Sequence, residues 1–90
     1  MVDRQAEMAA LVRSHQAGVW RYLRYLGCPT AEADDLTQDT FLAVFRDGFE
    51  DRSSEQTAAY LRTVARHRLL AVRRSRKKAA EVDLAAAEAV

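Results

Sequence analysis

One proline and three glycines in 90 residues leave this chain few places where a helix must stop. Two stretches supply such stops: Gly27-Cys28-Pro29, and the small, polar run Asp47-Gly48-Phe49-Glu50-Asp51-Arg52-Ser53-Ser54. In the segment before the first stop, Met8, Leu11, Val12, His15, Val19, Tyr22, Leu23 and Leu26 recur at helical spacing, which predicts an amphipathic helix over about 3–26. Thr30 reads as the N-cap of a second helix over about 30–46, whose first turn holds Glu32, Asp34 and Asp35 where carboxylates suit the helix dipole. Ser53, with Gln56 three positions on, forms a capping box for a third helix over about 55–76. Val and Thr are too scattered for strands, and much of the apolar content is Ala. The expected fold class is therefore all-α, a compact three-helix bundle. Residues 1–78 read as one domain, and the Ala-rich 79–90 as either a short, fraying C-terminal helical extension or the start of an interdomain linker.

A formal net charge of +1 hides a strong separation of charge. Eight of the 14 basic residues lie between Tyr60 and Lys78, a span without a single acid, and eight of the 13 acids lie between Glu32 and Glu55. One segment suits a polyanion and its neighbour a basic partner. Residues advance about 100° along a helix, so Ala33, Leu36, Thr40, Ala43 and Val44 share the core face of the second helix, with Phe41 at its edge. The opposite face collects Asp35, Gln38, Asp39, Leu42 and Arg46. A leucine ringed by carboxylates and an amide reads either as a solvated face with one stray apolar residue or as a docking surface with Leu42 as anchor.

On the third helix Ala58, Leu61, Val64, Ala65, Leu69 and Val72 form the expected buried stripe, flanked by Arg62, Arg66 and Arg73. Arg68 falls inside the stripe and must either snorkel out or mark the stripe as narrower than drawn. Tyr60, Thr63, His67 and Arg74 make a second stripe that combines an aromatic ring, hydrogen-bonding groups and a fixed cation. Those are the means by which proteins hold unpaired nucleic acid. No catalytic triad, glycine-rich phosphate loop or metal-ligand spacing is present, His15 reads as a core residue, and Asp34 projects about 100° away from Asp35, so neither an enzyme nor a metal or cofactor is expected. The lone Cys28 excludes an internal disulfide and fits a reducing cytoplasm, and no signal peptide or membrane-spanning apolar run occurs.

The run Ala33-Asp34-Asp35-Leu36-Thr37-Gln38-Asp39-Thr40-Phe41-Leu42-Ala43-Val44-Phe45-Arg46, followed by Ala59-Tyr60-Leu61-Arg62-Thr63-Val64-Ala65-Arg66, resembles region 2 of bacterial sigma-70 family sigma factors of the extracytoplasmic-function (ECF) type. The resemblance covers roughly Leu11 to Lys78. It implies a transcription initiation module whose second helix docks on the clamp helices of the RNA polymerase β′ subunit, through the positions that are Asp35, Gln38, Asp39, Leu42 and Arg46 here. It further implies that the third helix and the loop before it engage the promoter minus-ten element, melt it and hold the non-template strand with a base out of the stack. Tyr60, Arg62, Thr63, Arg66, His67, Arg73 and Arg74 are the matching candidates, and Phe49 either lines a base pocket or closes the loop on the core. Tyr60 stands where the family commonly has Trp, His67 where it has Asn, and Ala71 where it often has Asp. The family's helix-turn-helix domain for the minus-thirty-five element is not among these residues, so the chain is expected to be an excised region 2 or a protein that works with region 2 alone. An anti-sigma factor is a further partner by analogy. The competing readings are a non-specific DNA-binding helical protein and a region 2 fragment sequestered by an anti-sigma factor.

Overall fold

A computed structural model describes residues 3–48 and 52–89. Three helices follow one another: α1 (Arg4–Tyr25), α2 (Thr30–Asp47) and α3 (Ser54–Glu88). Each packs on the other two around a core of Leu11, Val19, Leu23, Cys28, Leu36, Phe41, Val44, Leu61 and Leu69, with Ala33 and Ala65 fully buried among them. Phe49, Glu50 and Asp51 of the connecting loop lie outside the described residues.

The α1–α2 turn is a Schellman motif. Gly27 N–H donates to the Arg24 carbonyl at 3.0 Å and Cys28 N–H to the Leu23 carbonyl at 3.1 Å, while the buried side chains of Leu23 and Cys28 supply the apolar contact of that motif. Gly27 holds φ at 97°, a value that strains any residue with a Cβ. Three guanidinium groups tie the turn down. Arg24 donates to the Cys28 carbonyl at 2.9 Å and Arg73 to the Leu26 carbonyl at 3.2 Å, and Arg76 reaches both Glu32 carboxylate oxygens at 3.4 Å. The Cys28 thiol is pushed above its ordinary pKa by burial first and by Glu32 second, against the pull of Arg73, Arg76 and Arg24, which leaves it a packing group.

Several expected details need correction. Thr30 is the first helical residue and not the cap; Pro29 caps α2 without a side-chain bond, its fixed φ of −58° leading the chain into the helix. His15 is half-buried at the rim between α1 and α3 and not in the core. The buried stripe of α3 is Thr57, Leu61, Ala65 and Leu69, with Val64, Arg68 and Val72 half-buried, so the stripe is narrower than drawn and Arg68 lies on its margin. The capping box stands as expected: Ser53 Oγ accepts from Gln56 N–H at 3.2 Å and Ser53 N–H donates to Gln56 Oε1 at 3.1 Å.

The largest departure is the length of α3, which runs 35 residues to Glu88 instead of stopping near Arg76. At 1.5 Å per residue it is about 52 Å long and projects from the bundle, giving the molecule extents of 63 × 26 × 19 Å. Of the two readings of 79–90, the helical extension is the one the structure takes, longer than expected and continuous with α3. Ala, Arg, Lys, Glu and Leu all favour helix, and neither Gly nor Pro follows Gly48 to break it. Among the described residues, none beyond Leu69 is buried and each from Arg73 to Ala89 is exposed, so local propensity alone sustains the last turns. Native-state hydrogen exchange is expected to show slow amides from Leu61 to about Val72 and near-unprotected amides from Lys78 onward. Uniform protection along α3 would mean that the extension is held by packing.

Candidate functional site

The candidate residues occupy two faces of the bundle. On α2, Asp35, Gln38, Leu42 and Arg46 are exposed and Asp39 is half-buried. Leu42 keeps 61% of its surface in water. Core residues at Ala33, Leu36, Thr37, Thr40, Phe41 and Val44 fix which way this ridge faces. Thr37 and Thr40 belong inside because each hydroxyl donates to the carbonyl four residues back, at 2.7 Å, which satisfies it without a distant partner. The Asp47 carboxylate holds Arg46 at 3.1 Å and, first by that hydrogen bond and then by its charge, raises the arginine pKa further.

The ridge runs between two grooves. Gln38 and Leu42 border a hollow of about 690 Å³ between α1 and α2, floored by Val12, Ala17, Trp20, Phe41 and Phe45. Asp35 and Asp39 border one of about 480 Å³ between α2 and α3, with Leu36 and Val72 below and Glu32 and Arg76 at its mouth. Trp20 spans the first groove: its Nε1–H donates to Asp34 Oδ1 at 2.7 Å, and the Arg24 guanidinium lies 5.9 Å from its ring. Sequence reasoning passed over Trp20 and set Asp34 aside. The signal was available, since the chain's one tryptophan sits beside buried Val19 and eight residues after Val12, on the flank of the apolar stripe of α1.

On α3, Arg62, Thr63, Arg66, His67, Arg73 and Arg74 are exposed and Tyr60 is half-buried. Helical geometry spreads these seven over about 160° of arc opposite the buried stripe. They share one face but not one role. Thr63 donates its hydroxyl to the Ala59 carbonyl at 3.1 Å, which leaves its oxygen as an acceptor. Arg73 already holds the Leu26 carbonyl, so part of its donor set serves the fold. Tyr60 packs against the core, and the Arg52 guanidinium carbon lies 4.3 Å from its ring centroid. Arg52 also escaped the sequence reading, because it is a lone cation in an acidic loop.

Among the described residues, no group of His, Cys, Asp and Glu could hold a metal ion, and no helix is long and apolar enough to cross a membrane. Residues 11–79 match the model of the Sigma-70 region 2 family. The chain belongs to that family. The matched span opens at Leu11, the first buried residue of α1, and closes where α3 has left the bundle, so it coincides with the packed part of the molecule. A probable RNA polymerase sigma-C factor of Mycobacterium bovis and an ECF RNA polymerase sigma factor, SigC, of Mycobacterium tuberculosis are each 40% identical to this region 2 domain over 62 residues. That alignment takes in 67% of this chain and 32% of each relative, so the domain spans about a third of their length. No solved structure matched it.

Proposed function

We propose that this ECF-type region 2 domain acts in transcription initiation, docking on the β′ clamp helices of core RNA polymerase through α2 and holding the unpaired non-template strand of the minus-ten element on α3. The observation that carries the reading is the separation of the two faces. The acidic ridge with exposed Leu42 belongs to α2, the cationic face belongs to α3, and neither is consumed by the core. Melting a base pair costs a few kcal/mol per extruded base, which a positively charged face with stacking groups offsets without side-chain catalysis.

Calorimetric titration of the domain with a purified β′ clamp-helix fragment tests the first half. Saturable binding is expected, and none by a well-folded sample would return the weight to a DNA-binding or sequestered module. For the second half, Arg66→Glu is expected to weaken single-stranded DNA binding roughly tenfold and to lower the log–log salt slope by about 0.7, the share of one phosphate contact on a single strand. Fluorescence anisotropy across a salt series measures both. Equal affinity for duplex and single strand, with a steep slope, would favour the non-specific DNA-binding reading.

A further inference from the structure

The aromatic ring that the α3 face offers is not bare. Tyr60 packs on the core, and the planar cation of Arg52 lies over the ring with its carbon 4.3 Å from the centroid. That separation is a face contact, within the range of a favourable cation–π pair. Arg52 directly precedes Ser53, whose reciprocal bonds with Gln56 anchor the start of α3, so its backbone is fixed relative to Tyr60 two turns on. Its side chain also borders a hollow of about 480 Å³ shared with Glu7, Ser14, His15 and Ser54. A base approaching Tyr60 from that side meets the guanidinium before the phenol ring.

Building on the proposed function, we propose that Arg52 is the stacking residue of the DNA face: an unpaired nucleobase lies on its guanidinium plane, with Tyr60 as the backing layer. A guanidinium is planar and weakly hydrated, and it stacks on bases as it does on rings. Tyr60 holds it in one orientation, so less side-chain freedom is lost when the base arrives. The ligand class is therefore an unpaired base in single-stranded DNA, because a base inside a duplex has both faces covered. The arrangement also gives Tyr60 a purpose that its phenol ring serves without touching DNA.

The test uses the 90-residue domain and an oligothymidine strand carrying one central 2-aminopurine, whose fluorescence falls on stacking. Parent protein is expected to bind and quench. Arg52→Ala is expected to bind roughly 5- to 100-fold more weakly, the range for losing one stacked base, and to quench little. Arg52→Lys keeps the charge but not the plane; the salt slope should stay near the parental value while quenching is lost. Tyr60→Leu should reduce quenching in the parent background and change nothing in the Arg52→Ala background. Parental quenching by Arg52→Lys would overturn the stacking role and leave a point charge, and unchanged binding by Arg52→Ala would remove Arg52 from the site. Failure of the parent itself to bind the strand would overturn the DNA half of the proposed function as well, which separates the two failures. Circular dichroism melting of each variant checks the fold independently, since Arg52 lies outside the buried core.

Discussion

Leu61→Ala is expected to destabilise the domain by about 3–4 kcal/mol, enough to lower its melting temperature by roughly 12–30 °C. Leu61 has no solvent-exposed surface and stands in the one core cluster that all three helices share. Truncating it loses the transfer free energy of its methyl groups and leaves a cavity in the core that packed helices cannot fully collapse to fill. A domain of this size has a total stability of only about 4–13 kcal/mol, so the loss takes a large share of it. Leu84→Ala is the matched control. The same chemistry at a residue 62% exposed on the projecting end of α3 should shift stability by no more than about 0.5 kcal/mol. Thermal melts followed by circular dichroism would compare the two. A Leu61→Ala melt within a few degrees of the parent would show that α3 is not held by its apolar stripe.

The same contrast explains which features the sequence made legible. Burial on α2 followed the 100° rule because its core residues are ordinary apolar types, and Ala33, Leu36, Ala43 and Val44 all went where periodicity put them. Thr37 and Thr57 did not register, since a hydroxyl hides a residue from hydrophobic pattern reading until its local partner is known; for Thr37 that partner is the Ala33 carbonyl. The end of α3 stayed open between a helical extension and a linker for a different reason. Loss of an apolar stripe signals loss of packing but does not by itself end a helix, and the Ala-rich segment after Arg76 contains no Gly or Pro to break it early. The docking ridge was visible as a face, but the grooves on either side of it depend on how α1 and α3 lie against α2, which no single helix encodes. Among the arginines, sequence gave charge without geometry. Arg73 and Arg76 turn back to hold Leu26 and Glu32, whereas Arg62 and Arg66 remain on the open face.

Asp39→Lys is expected to weaken binding to the β′ clamp-helix fragment by at least 100-fold while leaving single-stranded DNA affinity within about threefold of the parent. Asp39 is half-buried at the lip of the α2–α3 groove, beside Asp35 and near Glu32, where three carboxylates face the one guanidinium of Arg76. Replacing it with lysine removes an attraction to a basic partner and adds a repulsion at the same point, and like charges brought together in a desolvated interface cost several kcal/mol. A hundredfold change corresponds to about 2.7 kcal/mol, within the reach of that effect. Leu42→Ala on the same ridge should act differently. It removes apolar contact without altering charge, so its loss should appear as faster dissociation and persist at high salt, whereas part of the Asp39→Lys defect should be screened. Kinetic binding measurements at two ionic strengths distinguish these signatures. If Asp39→Lys weakened DNA binding as much as clamp binding, with the fold intact, the two faces would not be separate and the division of labour between α2 and α3 would fall.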